Sequence, residues 1–168
     1  AARCPAAEPT RQSKRVIATI SMIVGTPRPS GPIIHACASR SSISLVFFLP
    51  LNYAQKIRQV EGVKSVSWMS WFGGVYITEA NFFPQFAVDA PTFLGMYPEY
   101  RLDDAERKAF LLDRGGVGVG RKLADKYGWK IGDRIPLRGT IFPGTWTFTL
   151  RAIYDGADNK VDETQFFF

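Results

Sequence analysis

The chain has 168 residues, of which 46% are hydrophobic and 14% aromatic, so it is long and apolar enough to bury the core of one domain. Its formal net charge of +6 is concentrated near the start, because residues 1–40 carry six Lys and Arg against one acidic residue. Residues 41–168 carry 15 Lys and Arg against 14 Asp and Glu and are nearly neutral. This balance argues against a nucleic-acid-binding domain, and we expect no nucleic-acid partner.

The apolar runs of the sequence are too short to span a membrane. Residues 16–24 and 43–51 give about nine residues each, whereas a spanning helix needs about 20. We therefore expect this chain by itself to be soluble. Three aromatic residues, Phe166, Phe167 and Phe168, end the sequence. We expect them to be an exposed apolar end, which indicates a fragment of a longer protein.

The first 40 residues are predicted to be a poorly ordered or non-homologous leader. Prolines and glycines interrupt them too often for a long element, and only residues 15–24 favour a strand or a short helix. The basic residues before that apolar run also fit a signal peptide, without a clean cleavage pattern after it. Cys4 and Cys37 both lie in this leader, where unpaired thiols are favoured over a disulfide.

The body of the chain begins with a strand over residues 41–48, which are rich in β-branched and aromatic side chains. A helix capped by Asn52 follows and ends at Gly62. Its apolar positions recur with helical spacing and are Tyr53, Ile57 and Val60. Residues 64–78 come next and predict either a long strand bent at the adjacent glycines Gly73 and Gly74 or a hairpin.

Residues 81–88 predict a further strand, which is followed by two short helices. The apolar face of this strand is expected to hold Phe82, Phe86 and Val88. Asp89 is expected to cap the first helix, whose apolar residues are Phe93, Leu94 and Tyr97. Asp103 and Asp104 begin the second helix, whose apolar residues are Ala105, Ala109 and Leu112.

Residues 115–137 read GGVGVGRKLADKYGWKIGDRIPL and predict a compact strand, helix, turn and strand. Val117 and Val119 favour the first strand, and Gly128 can take the left-handed conformation that ends the helix. Residues 134–142 and 145–154 then flank a Pro-Gly pair and predict a hairpin. This mixture of strands and short helices predicts an α+β fold with a mixed sheet in a single compact domain.

The sequence offers little for catalysis, and we expect the chain not to be an enzyme. His35 is the only histidine and lies in the leader, so a histidine-based triad or metal site lacks partners. An acidic loop could bind a hard cation or support a hydrolase, but a solvated loop is favoured; its residues are Asp155, Asp158, Asp162 and Glu163. No catalytic residue, cofactor site or metal site is assigned.

Two further patterns leave alternatives open. The glycine-rich residues 115–120, followed by Arg121 and Lys122, could hold a phosphate, although a tightly packed strand is favoured. A cluster of aromatic residues could form a groove for a lipid or a hydrophobic ligand, although core packing is favoured; it comprises Trp68, Trp71, Phe72, Tyr76, Phe82, Phe83 and Phe86. Trp68 and Trp71 cannot share one face of a regular strand, so one of them is expected to be exposed.

The 115–137 block resembles the extracytoplasmic core domain of ABC transporter permeases of the FtsX/MacB type. The residues that carry the resemblance are Leu123, Ala124, Lys126, Gly128, Lys130, Gly132, Asp133, Ile135 and Leu137. Residues 51–66 and 81–100 also resemble segments of that domain. The resemblance covers roughly residues 41–168 and leaves the leader unaligned.

The resemblance implies that residues 41–168 are a MacB-like periplasmic core domain, truncated at its C-terminal end. Such a domain is non-catalytic and couples ATP-driven movement of a permease to a substrate or partner outside the bacterial inner membrane. The implied partners are an ABC ATPase subunit, a second permease copy and a periplasmic protein. The alternative from another class is a free-standing binding protein with the aromatic groove. Neither the transported substrate nor the direction of transport follows from these residues.

Overall fold

The computed structural model describes residues 15–18, 21–27, 34–35, 37–40, 52–60, 63 and 65–168, with side chains from residue 52 onward. By its internal contacts the chain divides into two units, Ala1–Ser70 and Trp71–Phe168. The predicted strand at residues 41–48 and the thiol groups of Cys4 and Cys37 lie outside the described part. The predicted domain boundary at residue 40 stays a prediction.

The described part of the first unit contains short strands and one helix. They are β1 (Arg15–Ala18), β2 (Ser21–Pro27), β3 (Ile34–His35), β4 (Cys37–Arg40), α1 (Asn52–Arg58) and the first two residues of β5 (Met69–Trp71). Strand β1 pairs antiparallel with β2 and parallel with β4, while β2 also pairs antiparallel with β3, β4 and β5. Residues 15–24 therefore hold parts of two antiparallel strands, where the sequence predicts a single strand or short helix.

Helix α1 runs from Asn52 to Arg58, so Asn52 is its first residue and the helix ends before the predicted stop at Gly62. Its predicted apolar face is also wrong. Tyr53 and Val60 are 46% and 56% exposed, and the buried residue of the helix is Ala54. The helix ends at Arg58, so Val60 lies beyond its last turn and cannot share a helical face with Tyr53.

The second unit holds three helices and most of the strands. Its elements are β6 (Gly74–Val75), β7 (Gln85–Val88), α2 (Ala90–Met96), β8 (Tyr100–Arg101), α3 (Asp104–Leu112), β9 (Gly116–Gly120), α4 (Arg121–Tyr127), β10 (Arg134–Gly139), β11 (Gly144–Gly156) and β12 (Phe166–Phe167). The strands lie side by side in the order β7, β12, β9, β11, β10, β6, with β8 against the far end of β11. Parallel and antiparallel pairs both occur, which confirms the α+β class with a mixed sheet and short helices in a compact unit.

Strand β9 lies in the middle of this sheet. It pairs in parallel with β11 and antiparallel with β12, and all five of its residues are buried. Strand β12 consists of Phe166 and Phe167, which are 0% and 2% exposed. The expectation of an exposed apolar end is therefore wrong, because these phenylalanines fill the space between β9 and β7.

The block at residues 116–139 folds as the sequence predicts. Strand β9 leads directly into α4, and Gly128 ends that helix with a φ of +67°. The backbone N–H of Gly128 donates to the carbonyl oxygens of Ala124 and Asp125, as in a helix stop of the left-handed type. Strand β10 then forms the predicted hairpin with β11, whose register places Ile135 opposite Phe148.

Two predicted apolar faces in this unit differ from the structure. Phe82 is 66% exposed and Phe83 is buried, because strand β7 begins only at Gln85 and the preceding residues do not alternate. In α3, Leu112 is 75% exposed and Phe110 is the buried residue. The helix meets the sheet along a different side from the one that the apolar pattern indicates.

Candidate functional site

The acidic loop after β11 does not converge on one point. Asp155 forms an ion pair with Arg121 at 2.9 Å, and Glu163 lies 3.3 Å from the ammonium group of Lys122. Asp158 accepts from the backbone N–H of Lys160 at 2.9 Å. In the part of the chain that the structure describes, no group of three or more His, Cys, Asp or Glu could hold a metal ion. Two of these carboxylates, Asp155 and Glu163, are therefore paired with basic residues of α4.

Asp162 has a structural role within that loop. Its Oδ1 atom accepts from both the backbone N–H and the hydroxyl of Thr164, at 2.9 and 2.6 Å. Burial raises the pKa of Asp162, but these hydrogen bonds outweigh burial and hold the pKa below its ordinary value. The carboxylate therefore stabilises the turn that leads into β12.

The glycine-rich strand before α4 is closed to a phosphate. The backbone N–H of Gly120 donates to the carbonyl oxygen of Gln165 at 3.0 Å, and that of Leu123 donates to Glu163 at 3.2 Å. A Cβ atom at Gly120 would collide with the backbone of Glu163. Glycine is therefore required because another segment of the chain packs here, which supports the packed-strand interpretation.

Four aromatic rings pack tightly together behind this block. Tyr76, Phe83, Tyr127 and Trp129 all contact one another, with centroids between 4.8 and 6.3 Å apart. The indole N–H of Trp129 donates to the hydroxyl of Tyr76 at 3.2 Å. Phe83 and Trp129 are buried in the hydrophobic core. These residues thus form core packing and leave no groove between them.

A second aromatic group lies partly at the surface. The ring of Trp71 is 5.9 Å from the ring of Phe82 and 5.4 Å from the ring of Phe86. Phe82 is 66% exposed, whereas Phe72 next to Trp71 is buried. We call Trp71, Phe82 and Phe86 the aromatic surface. Trp68, at 37% exposure, belongs to the first unit.

A buried polar side chain joins the two ends of the sheet. Gln85 in β7 is 1% exposed, and its side-chain amide forms two hydrogen bonds with the backbone of Gly74 in β6. The N–H of Gly74 donates to Oε1 at 2.6 Å, and Nε2 donates to the carbonyl oxygen of Gly74 at 2.8 Å. The N–H of Phe72 also donates to the backbone oxygen of Gln85 at 3.0 Å.

Among the strands of the second unit, β6 and β7 lie at the two ends of the strand order. The two side-chain bonds and the one backbone bond of Gln85 therefore close the curled sheet on itself. We call residues 72–75 together with Gln85 the seam. Sequence analysis did not find it, since a lone glutamine in a strand is ordinarily solvated. The only available signal was its place between two inward-facing apolar residues, Phe83 and Val88.

Helix α3 is fixed to β11 at an irregularity of the strand. The register between β9 and β11 shifts between Leu150 and Ala152. The backbone N–H just beyond it, that of Ile153, donates to the carboxylate of Glu106 at 2.9 Å. Arg151 within the irregularity pairs with Asp113 at 2.7 Å, and this hydrogen bond holds the pKa of Asp113 below its ordinary value.

Three tyrosines form another packed group at the far end of β11. Tyr97 and Tyr100 are 5.2 Å apart by ring centroid, and Tyr100 is 4.8 Å from Tyr154. Burial raises the pKa of all three hydroxyls, so they stay protonated in the neutral range. The hydroxyl of Tyr154 donates to the backbone oxygen of Asp162 at 2.7 Å. The Tyr154 hydroxyl therefore acts as a structural donor that ties β11 to the loop before β12.

Among the described helices, none is both long and apolar enough to cross a bilayer.

Comparisons with known proteins give distant likeness to solved structures alone. No protein-family model and no curated protein matches the chain. A similar solved structure is a domain of a provisionally named permease protein from Porphyromonas gingivalis, at 21% sequence identity and a TM-score of 0.41. The match covers 59% of this chain and 46% of that chain, so the chain spans slightly less than half the length of that structure. We draw no functional argument from a likeness this distant.

Proposed function

We propose that residues 41–168 are the extracytoplasmic domain of an ABC transporter permease of the FtsX/MacB type. In this proposal the domain carries out no chemistry. It couples ATP-driven movement of membrane helices, supplied by other parts of the permease, to a substrate or partner outside the bacterial inner membrane. Its partners are an ABC ATPase subunit, a second permease copy and a periplasmic protein.

The observation that carries the proposal is the residue spacing at 115–137, together with the structural part that each of its residues plays. Leu123 and Ala124 are buried where α4 packs on the sheet, and Gly128 supplies the left-handed stop of that helix. The side chain of Asp133 accepts from the N–H of Lys130 at 2.8 Å and so fixes the next turn. Leu123, Ala124, Gly128 and Asp133 of the spacing therefore each have a structural role.

The same block suits the transmission of movement. Ile135 and Leu137 of β10 are 1% and 0% exposed, and they extend the core formed by Val117 and Val119 of β9. Close-packed elements of this kind move as one body and transmit a displacement from one end to the other. This rigidity is what a non-catalytic coupling domain needs.

Co-purification from membranes tests this proposal. The full-length product of the gene would carry an affinity tag, and membranes would be dissolved in detergent before purification. We expect an ATP-binding subunit and a second copy of the permease to be recovered with it, and an unrelated tagged membrane protein serves as the control. Recovery of the full-length product from the soluble fraction alone would contradict the proposal.

A second candidate function is a free-standing binding protein for a lipid or hydrophobic ligand. It is favoured by one observation, the 66% exposure of Phe82 beside Trp71. In that case Phe82→Ala would weaken binding of a hydrophobic fluorescent probe, whereas Leu112→Ala, which removes a 75% exposed apolar side chain elsewhere, would not. Equal probe binding by the two variants would exclude the aromatic surface as a ligand site.

A further inference from the structure

The last turn of helix α3 exposes two adjacent leucines. Leu111 and Leu112 are 40% and 75% exposed, whereas Phe110 beside them is the buried residue of the helix. Neighbouring residues of a helix point about 100° apart, so the two leucines lie on the outward side of α3. A single exposed leucine is common on a protein surface, but two adjacent ones form an apolar spot that is open to water.

Three basic side chains flank this spot. Arg107 and Lys108 lie on the outward side one turn before the leucines, because residues three and four apart are neighbours on a helix. Arg114 follows just after the helix, and all three basic residues are exposed. Among the described residues, no ion pair uses any of the three. Their charges are therefore available to a partner outside the domain.

The two acidic residues closest to the leucines on either side are already engaged. Glu106 accepts from the backbone N–H of Ile153 at 2.9 Å, and Asp113 is paired with Arg151 at 2.7 Å. These contacts also fix α3 to strand β11. The exposed end of the helix is thus held rigidly, and its outward side is basic and apolar.

The helix itself does not account for these basic residues. A cation stabilises the helix dipole from the last turn, but the last turn of α3 contains no basic residue. Asp104 lies one turn before Lys108, yet the two form no ion pair within the described part of the chain. The leucines lie a further turn away, about 12 Å from Asp104 at 1.5 Å per residue. That distance exceeds the screening length of about 8 Å at physiological salt.

Leucines flanked by cations on one side of a helix suit the surface of an anionic bilayer. Apolar side chains enter the boundary between headgroups and acyl chains, while long basic side chains extend to the lipid phosphates. A stable protein interface, by contrast, takes about 20–30 residues from each partner, and the end of one helix supplies far fewer. Charge and size together therefore favour a lipid surface over an acidic protein.

We propose that the end of α3 docks the domain on a bilayer that contains anionic lipid. The docking residues, which we call the α3 patch, are Arg107, Lys108, Leu111, Leu112 and Arg114. This surface goes beyond the proposed permease function, because a free-standing binding protein would use it in the same way. Its test needs neither membrane helices nor an ATPase, so the failure of either proposal leaves the other standing.

Flotation of the full chain with lipid vesicles tests the α3 patch. Vesicles of phosphatidylcholine with about 30% phosphatidylglycerol should bind the chain at about 0.1 M salt, and vesicles of phosphatidylcholine alone should bind it far less. Equal binding to the two kinds of vesicle, or binding to neither, would overturn the proposal. Binding to polyglutamate without binding to the vesicles would indicate an acidic protein partner and would contradict docking on lipid.

Two matched triple variants separate the patch from the basic leader, which is present in both. The patch variant is Arg107→Gln with Lys108→Gln and Arg114→Gln; the control, which removes the same charge from exposed positions elsewhere, is Lys130→Gln with Arg134→Gln and Arg138→Gln. The patch variant should bind anionic vesicles roughly 10- to 100-fold more weakly than the wild type, and the control should keep most of its binding. Equal losses would show that net charge or the leader binds the vesicles, which would overturn the proposal.

A second pair of variants tests insertion of the leucines. Leu111→Ser with Leu112→Ser should weaken vesicle binding about tenfold or more, because two apolar side chains no longer leave water. The control is Val60→Ser with Ile131→Ser, which removes two side chains that are 56% and 47% exposed elsewhere, and it should leave binding unchanged. All of the exchanged side chains are exposed, so the variants should fold. Unchanged binding by the leucine variant would exclude docking by insertion.

Discussion

The side-chain amide of Gln85 pairs with both the N–H and the carbonyl oxygen of Gly74, and this pair closes the sheet of the second unit. A side chain here replaces the backbone of a neighbouring strand. The arrangement gives both the oxygen and the nitrogen of a buried amide a backbone partner, and hydrogen bonding of this kind is the condition under which such a group is tolerated in a core. It also means that one residue decides how the two ends of the sheet meet.

Gly128→Ala should destabilise the protein by about 1 kcal/mol, because Gly128 has a φ of +67° that a residue with a Cβ adopts at a cost. No other atom lies within 4 Å of a Cβ built there, so the effect is purely conformational. The matched control is Gly95→Ala in helix α2, where the added methyl also meets nothing within 4 Å. That change should be neutral or should stabilise by about 0.5 kcal/mol. Urea unfolding measures both, and equal effects would contradict the assignment of Gly128 as the helix stop.

Phe166→Ala should destabilise by about 3–5 kcal/mol, since the side chain is fully buried between β9 and β7. Phe82→Ala removes the same atoms from a side chain that is 66% exposed and should cost far less. Thermal unfolding followed by circular dichroism compares the two variants. A small loss for Phe166→Ala would mean that the last residues do not form β12.

Glu106→Ala should cost about 1–3 kcal/mol, because it leaves the backbone N–H of Ile153 without its acceptor. Glu106→Gln keeps a carbonyl oxygen in the same place and should restore most of the loss. Lys108→Ala, an exposed change on the same helix, controls for altered helix propensity. If Glu106→Gln is as unstable as Glu106→Ala, the bond to Ile153 is not what holds α3.

The pH dependence of stability should reveal the two ion pairs of Asp113 and Asp155. The hydrogen bond from Arg151 lowers the pKa of Asp113, and that from Arg121 lowers the pKa of Asp155. A lowered folded-state pKa gives stabilisation that is present above the unfolded value of about 3.9 and is lost as the pH falls through the folded value. The pairs are partly solvated, so each should contribute at most about 1 kcal/mol.

The test of this dependence is a double variant, Asp113→Asn with Asp155→Asn. Its free energy of unfolding should lie below that of the wild type at pH 7, by an amount that stays constant down to about pH 5. The difference should then shrink below about pH 4, where the wild-type carboxylates become protonated. A difference that does not change with pH would show that the pairs do not titrate as described.

Local features of the second unit could be predicted because nearby residues determine them. Gly128 ends a helix whatever surrounds it, and the Pro-Gly pair at residues 143–144 lies at the turn of the β10 and β11 hairpin. Asp103 caps α3 through a bond from the N–H of Ala105 at 2.8 Å, which is again a contact between near neighbours. These features can be predicted without knowing how the rest of the chain folds.

The features that sequence analysis missed depend on residues far apart in the chain. Gln85 meets Gly74 only once the sheet has curled, and Glu106 meets Ile153 only once α3 has docked. The same holds for Phe166, whose burial depends on strands about 50 and 80 residues earlier. Helical spacing also misassigned α3, because the polar Glu106 lies on the side that faces the sheet.

The coding sequence around this chain tests the central claim most directly. Reading about 100 codons upstream and about 300 downstream shows whether apolar runs of about 20 residues flank the domain. The account predicts one such run before the domain and about three after it, as a permease with an extracytoplasmic domain requires. An intact reading frame without any such run would contradict the permease assignment and leave the aromatic surface at Trp71, Phe82 and Phe86 as the site to examine.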